Sequence, residues 1–282
     1  MPAIAIRSFD DPAVTSAGFL ARLRSAEPRF FAAAALMLAA LAPTAFAALL
    51  DQRSFQGVNV WLKPMKFEFS LLVYLGTLAF CALFVPEGTR AKRWYRFYAA
   101  TVAIAAVLEI AWIAGAAALG TASHFNPGTI GQILYPAMGL AAVLISSASA
   151  VYAFHIARNV DTGLTPAVKE ALVLGLALVL PLTLVTAGTL SGMGTHFIGG
   201  TPSDAGGFPL MGWSRDGGDL RVAHFFATHA MQFVPVLGLL AAAIFGGTKR
   251  APARLIAAGY AGFVLLLFMQ ALMGRPFLPG VG

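Results

Sequence analysis

The sequence is poor in cysteine and in charged residues. Its single cysteine, Cys81, excludes an intrachain disulfide and a metal site built from several cysteines. Asp, Glu, Lys and Arg together make up only 11% of the 282 residues. The chain also lacks a Gly-x-Ser-x-Gly elbow and a phosphate-binding glycine loop, so serine-hydrolase and nucleotide chemistry are not indicated. The candidates for a functional site are therefore histidines and a few carboxylates.

Long apolar segments are the main feature that the chain does have. Hydrophobic residues make up 59% of it and its mean hydropathy is +0.78, far from the values of soluble domains. About 20 apolar residues cross the hydrocarbon core, and backbone hydrogen bonding in lipid makes such segments helical. The sequence therefore predicts an all-α integral membrane protein, with residues 1–282 forming one bundle of seven transmembrane helices. The predicted spans are residues 30–50, 67–85, 97–119, 133–156, 169–190, 222–246 and 254–274.

Lys and Arg are concentrated in alternate connections. Most of the 19 lie before the first span or in the second, fourth and sixth loops. Because these residues favour the cytoplasmic side of a membrane, the distribution predicts a cytoplasmic N-terminus and a periplasmic C-terminus. It also accounts for the net charge of +7, so nucleic-acid binding is not indicated.

Residues 1–28 form a charged leader before the first span. Apolar and basic residues alternate in it, which favours a short helix on the cytoplasmic membrane surface. Ala45-Phe46-Ala47 resembles a signal-peptidase site, and cleavage there would leave six spans. The leader is long for a signal peptide and the apolar run continues through Leu50, so we expect the first helix to be retained.

Two segments resemble each other, and each places a histidine at the outer end of a span. They are Gly120-Thr-Ala-Ser-His124-Phe-Asn-Pro-Gly-Thr129 and Gly192-Met-Gly-Thr-His196-Phe-Ile-Gly-Gly-Thr201. His224 lies at the outer start of the sixth span. Three helix ends on one side of a bundle can converge, so His124, His196 and His224 are predicted to bind zinc, copper or iron. The alternative is that two of them only cap helix ends and meet solvent.

Haem b is the other cofactor that these histidines can serve, since it needs axial imidazoles and cations near its propionates. His229 is deep enough in the sixth span to be an axial ligand. Its side chain points about 140° away from that of His224 on a helix, so a single metal cannot easily bind both. The cations predicted to lie near the haem are Arg215, Arg221 and Arg275.

Two carboxylates lie on the same outer side of the predicted bundle. Glu68, at the outer start of the second span, can complete a metal site or act as a base. Glu109 falls near the bilayer midplane, where an ionisable residue is a functional-site hypothesis by default. We predict that Glu109 handles protons as a catalytic group. The alternative is a protonated carboxyl that only joins helices through Gln232 or His229.

Residues 191–221 form the longest connection and contain nine glycines. Such a loop can fold over the outer mouth of the bundle as a lid. Asp219 is predicted to cap the sixth span. Arg221 is unfavourable in the first turn of a helix, so it is predicted to pair with Asp216, Asp219 or an anionic ligand. Pro235 is predicted to kink the sixth span.

Three groups of residues resemble a family of bacterial multi-pass inner-membrane proteins. They are Gly57-Val-Asn-Val-Trp61-Leu-Lys63-Pro64-Met-Lys66-Phe67, then Ser123-His124-Phe125-Asn126, then Gly212-Trp213-Ser214 with Gly217-Gly-Asp219-Leu-Arg221 and His224. The resemblance covers the second to the sixth span. It implies an inner-membrane location and carries no activity that can be transferred to this chain.

Three hypotheses for the function follow. The preferred one is a membrane oxidoreductase or electron-transfer protein with haem or a metal near its outer surface, which extends to a metal-dependent hydrolase. The second is a sensor or transporter for a small outer-side ligand; the inner half of the bundle is almost purely apolar, which counts against transport. The third is an assembly subunit that binds partner membrane subunits or further copies of itself in the lipid bilayer.

Overall fold

The computed structural model describes residues 16–278 and residue 280, and this part of the chain is mainly helical. In chain order its elements are α1 (Ser16–Ala26), α2 (Pro28–Leu50), β1 (Ser54–Phe55), β2 (Val58–Asn59), α3 (Leu62–Cys81), α4 (Glu87–Arg90), α5 (Arg93–Ala118), α6 (Thr129–Arg158), α7 (Pro166–Met193), β3 (Phe197–Ile198), β4 (Gly218–Asp219), α8 (Leu220–Thr228), α9 (Ala230–Phe245) and α10 (Ala251–Leu272). A 3-10 turn, Ala82–Phe84, extends α3. The strands form two antiparallel hairpins, β1–β2 and β3–β4.

Six of the described helices are long and apolar enough to cross a membrane: α2, α3 with its 3-10 turn, α5, α6, α7 and α10. Helices α8 and α9 make a seventh span if the bent pair is counted as one. The helices expose large apolar side chains such as Leu49, Leu140 and Ile244, each 74% exposed. A soluble protein would not expose so many of these, and a lipid bilayer satisfies them. The prediction of an all-α, multi-pass membrane bundle is confirmed at this level.

Successive long helices run in opposite directions, so the bundle has two ends. At one end, Nη2 of Arg53, just after α2, donates to the carbonyl of Ala118 at the end of α5 over 3.0 Å. At the other, Nδ2 of Asn159, just after α6, donates to the carbonyl of Phe84 over 2.8 Å. We call the first the site end and the second the basic end.

The described part of the leader is helix α1, which packs against the bundle. Its Phe19 ring lies 6.5 Å from the ring of Phe80. Glu27 then caps α2, because its carboxylate accepts the backbone N–H of Arg29 over 3.3 Å. Residues 1–15 of the predicted leader lie outside the described residues.

The predicted sixth span is two helices, α8 and α9, which meet at 59°. The break lies at His229, where the Phe225 carbonyl accepts from both the backbone N–H, over 3.1 Å, and Nδ1, over 2.7 Å. The imidazole is therefore a second donor to a carbonyl that already accepts the last backbone hydrogen bond of α8. Pro235, which was predicted to kink this span, lies inside α9, so the main bend precedes it.

The half of the bundle toward the basic end contains buried hydroxyl groups. The hydroxyls of Tyr95 and Tyr152 are 2.6 Å apart, and that of Tyr98 is 2.5 Å from Oγ of Ser147. The expectation of an almost purely apolar inner half is therefore corrected. A tyrosine counts as apolar in a hydropathy pattern because of its ring, but its buried hydroxyl forms a hydrogen bond.

Helices α7 and α9 approach closely because small residues face each other. A Cβ added at Gly175 would lie 2.7 Å from Cδ of Pro235 and 2.9 Å from the carbonyl oxygen of Ala230. A Cβ added at Gly238 would overlap the methyl group of Ala171. Close backbone packing at small residues is a main source of helix association in membranes. The contact holds α9, and through it the break at His229, against α7.

Replacing Gly238 with valine should therefore destabilise the protein by about 1–3 kcal/mol, because the new methyl groups have no space. The matched control is Gly259→Val on α10, where an added Cβ meets nothing within 4 Å. Thermal unfolding of both variants in the same detergent checks this expectation. Equal melting temperatures for the two variants would contradict it.

Candidate functional site

The β1–β2 hairpin fixes the start of α3 at the site end. Asp51 accepts hydrogen bonds from Nη2 of Arg53, over 2.6 Å, and from Nε1 of Trp61, over 2.9 Å. These two donors hold the pKa of Asp51 well below its usual range. Nδ2 of Asn59 donates to the carbonyls of Ala48 and of Asp51 at the end of α2. Arg53, Asn59 and Trp61 thus position α3, which carries Lys63 and Lys66.

The glycine loop between α7 and α8 folds onto this hairpin. The backbone N–H of Asp204 donates to the carbonyl of Gln56 over 3.0 Å, and Oγ of Ser203 donates to the same oxygen over 3.1 Å. Asp216 accepts from the hydroxyl of Thr201 over 2.7 Å. Trp213, 8% exposed, anchors the loop among aromatic rings. The loop is therefore an ordered cover joined to two other parts of the site end.

Arg221 is the main crosslink between the loop and α8. Its Nη2 is 2.6 Å from Oδ2 of Asp219, the N-cap of α8, and its Nη1 is 2.8 Å from Oδ1 of Asp204. Nη2 also donates to the carbonyl of Gly212 over 2.9 Å. The predicted cap and the predicted Arg221–Asp219 pair are present. Asp216 accepts hydrogen bonds from Thr201 and Ser214 and is not a partner of Arg221. Asp204 is the second carboxylate that binds Arg221.

The three histidines predicted as metal ligands meet at this end. Nδ1 of His124 is 3.4 Å from Nζ of Lys63, and Nδ1 of His224 is 3.2 Å from Oγ1 of Thr186. Nε2 of His196 is 3.9 Å from Oδ1 of Asp204, too far for a hydrogen bond. Burial first, then the charges of Lys63, His224 and His196, lowers the pKa of His124 to about 3. The His124 ring is therefore neutral at physiological pH. We call the following residues the polar cluster: Lys63, Lys66, His124, His196, Asp204, Arg221 and His224.

The hydrogen-bond partners set the tautomers of two of these rings. Nδ1 of His124 also lies 3.1 Å from Oγ of Ser123, a hydroxyl that can donate or accept. The ammonium of Lys63 can only donate, so Nδ1 accepts from it and the ring proton is on Nε2. The Thr186 hydroxyl donates to the Leu182 carbonyl over 2.9 Å, so it accepts from Nδ1 of His224. His124 therefore presents a donor at Nε2, whereas His224 presents a lone pair.

The cluster has more positive than negative charge. Lys63, Lys66 and Arg221 are opposed by Asp204 and Asp219, and both carboxylates bind Arg221. Within residues 16–278 and 280, no carboxylate oxygen lies within 4.0 Å of Nζ of Lys63 or Lys66. Lys66 donates to the Met211 carbonyl over 3.0 Å. Burial opposes ionisation of Asp204, but the neighbouring His196 and Arg221 outweigh it and lower the pKa of this carboxyl.

The described residues contain no group of three or more His, Cys, Asp or Glu side chains arranged to hold a metal ion. His124, His196 and His224 share one region, but the ammonium of Lys63 also lies in it. Metal binding by these histidines stays a prediction.

The residues predicted to bind haem are spread over several places. His229 lies at the helix break, with its ring stacked 4.1 Å from that of Phe225. Arg215 lies over the ring of Phe208 at 5.1 Å. Arg275 is exposed and lines a small cavity beside Asp219. Only Arg221 belongs to the polar cluster.

The two predicted catalytic carboxylates lie in the helical part of the bundle. Glu68 is 1% exposed, and its Oε1 accepts the Thr44 hydroxyl over 2.7 Å. Glu109 is 9% exposed, and its Oε1 has no hydrogen-bond partner in the described part of the chain. Gln232 donates to Thr77 over 3.0 Å, and His229 bonds to Phe225. Gln232 and His229 therefore donate hydrogen bonds to other groups and not to Glu109.

Sequence reasoning missed Lys63, Lys66 and Asp204 as members of the site. The two lysines carry a usable signal, since they begin a span on the side where Lys and Arg are otherwise sparse. Asp204 has no such signal, because only the path of the glycine loop brings it to Arg221.

No protein-family model matches the chain, no curated protein matches its sequence, and no solved structure matches its fold.

The protonation of His124 makes the stability of the protein depend on pH. Below its ordinary pKa of 6.5, the unfolded chain binds a proton at His124 that the folded protein does not bind until about pH 3. Stability should therefore fall as the pH drops through this window, by at most about 1.4 kcal/mol per pH unit.

His124→Gln should flatten this dependence, because glutamine does not titrate. Thermal unfolding of both proteins from about pH 7 to about pH 5 measures the difference. Parallel curves for the two proteins would show that His124 is protonated equally in both states.

Proposed function

We propose that the polar cluster binds a small oxyanion, such as a carboxylate or phosphate, and that the protein is a membrane receptor for it. The observation that carries the proposal is the position of Lys63 and Lys66 at the site end. Lys63 is exposed and Lys66 is half-buried, and neither has a carboxylate oxygen within 4.0 Å in the described part of the chain. Positive charge without a counterion attracts anions. Lys63, Lys66 and Arg221, set against Asp204 and Asp219, leave one net positive charge, which a monoanion would offset.

The neighbouring imidazoles suit an anion as well. His124 is neutral and has its proton on Nε2, so it can donate without adding repulsion between cations. Nε2 of His196 is buried without a hydrogen-bond partner among the described residues. A buried polar atom of this kind is expensive to leave unpaired, and a bound ligand can supply its partner.

We favour sensing over transport. The hydroxyls in the half toward the basic end already have partners: Tyr95 pairs with Tyr152 and Tyr98 with Ser147, which itself donates to the Leu144 carbonyl. Hydroxyls that already have acceptors offer a passing anion few free donors. From the distribution of Lys and Arg, we infer that the site end faces the periplasm of a bacterial inner membrane. Reporter fusions to both ends of the chain test this orientation.

A transition metal or haem is the second candidate. His224 and His229 both use Nδ1 as a donor, and so both keep the lone pair on Nε2 that metal binding needs. The ammonium of Lys63 opposes a divalent cation at His124, which makes the three-histidine site the less favoured proposal. Elemental analysis and an absorption spectrum of the purified protein separate the two candidates.

Lys63→Gln should weaken anion binding at least tenfold, since a charge-assisted hydrogen bond contributes about 1.5–3 kcal/mol. Calorimetric titration of detergent-purified protein with acetate, phosphate and sulfate at matched ionic strength measures this. Lys249→Gln is the matched control, because it removes the same charge from the opposite end.

Equal loss of affinity in both variants would mean that only the net charge matters. No binding of any of these anions, together with one equivalent of metal or a haem spectrum, would replace the anion proposal by the oxidoreductase hypothesis.

A further inference from the structure

The ends of α5 and α6 form a second charged surface, at the basic end and apart from the polar cluster. The Trp94 ring stacks on that of His155 with centroids 5.7 Å apart, and the hydroxyls of Tyr95 and Tyr152 are 2.6 Å apart. The start of α5 and the end of α6 are therefore side by side. Lys92 and Arg158 both lie near His155. Arg93 and Arg96 follow Lys92 in the first turn of α5. All four are exposed, and we call them the basic patch: Lys92, Arg93, Arg96 and Arg158.

In the described residues, the side chains of the basic patch bind neither a carboxylate nor a backbone carbonyl, unlike several other cations at this end. Arg254 is 2.6 Å and Arg250 is 3.9 Å from Glu170, and Arg90 donates to the carbonyls of Val85 and Ala26. In the described part of the chain, no carboxylate oxygen lies within 4.0 Å of a patch cation. Four like charges without a counterion attract an anion.

Exposed aromatic rings border the basic patch on its membrane side. Phe97 is 76% exposed, Phe154 is 53% exposed and Trp94 is 46% exposed. On α5, Phe97 lies one turn further into the bundle than Arg93, and on α6, Phe154 lies one turn further in than Arg158. The guanidinium of Arg158 is 3.5 Å from the centre of the Phe154 ring. Each helix thus presents a cation at its end and a ring on the same face below it.

We propose that this surface binds the headgroup of an anionic phospholipid. The basic patch takes the phosphate and the rings of Phe97 and Phe154 contact the glycerol and the first part of the acyl chains. A free phosphate would contact only the cations. A phospholipid would contact both the cations and the rings, because its phosphate and acyl chains follow each other in the same order as the cations and rings along α5 and α6. Basic residues beside a membrane surface attract anionic lipids, and aromatic rings favour the interface.

The test is native mass spectrometry of delipidated protein with phosphatidylglycerol or phosphatidylcholine of identical acyl chains. The wild-type protein should retain phosphatidylglycerol about tenfold better. Arg93→Gln/Arg158→Gln should lose this preference. Arg250→Gln/Arg254→Gln removes the same charge from the same end and should keep it, because those arginines are bound to Glu170.

Three outcomes overturn the proposal. The first is no preference in the wild-type protein, and the second is equal loss in the two double variants. The third is an unchanged preference in Phe97→Ala/Phe154→Ala together with equal competition by inorganic phosphate, which would mean that the surface binds phosphate alone. Arg93→Lys/Arg158→Lys keeps the charge and should keep most of the preference, which separates lipid binding from a folding defect. The result does not depend on whether the polar cluster binds an anion.

Discussion

The site end depends on one interaction, the guanidinium of Arg221 held between Asp219 and Asp204. Asp219 begins α8 and Asp204 lies in the glycine loop, so this ion pair fixes the cover relative to the bundle. A buried ion pair is stabilising only when its geometry is good and its other polar atoms are satisfied. Here the guanidinium also donates to the Gly212 carbonyl, and the Asp204 backbone is bound to the hairpin that starts α3. The positions of Lys63 and His196 relative to each other follow from these links.

Lys63 is the residue that makes us favour an anion over a metal as the ligand of the polar cluster. Without it, three neutral imidazoles near one mouth would suit a transition metal. With its ammonium donating to Nδ1 of His124, that ring is left with a proton on Nε2 and cannot use this atom to bind a metal. Burial first, and then this ammonium, lowers the pKa of His124, which keeps a donor available without a second positive charge. The arrangement favours a negatively charged ligand at each step.

The sequence pattern predicts the long helices because an apolar run of this length leaves the backbone no other arrangement in lipid. It misplaces some ends, as at Leu62, since polar residues such as Lys63 interrupt the apolar run but not the helix. The break at His229 was not predicted because no proline or glycine marks it in the sequence, whereas Pro235 carries a visible signal. Asp219 was predictable as a local cap, but the contact of Asp204 with Arg221 arises only from the folded loop.

The two ends of the bundle contain similar cations, and their neighbours distinguish those that join segments of the chain from those that we propose to bind ligands. Arg221 and Arg254 are bound by carboxylates, so each holds two segments of the chain together. Lys63 and Arg158 have no such partner among the described residues. Lys63 lies beside the imidazole of His124, whereas Arg158 lies over the exposed ring of Phe154. The first setting suits a small hydrated anion that enters from water, and the second suits an amphiphile that is already in the membrane. The buried hydroxyls between the two ends already have partners, which is the reason that we propose two separate ligands and no passage of one ligand from end to end.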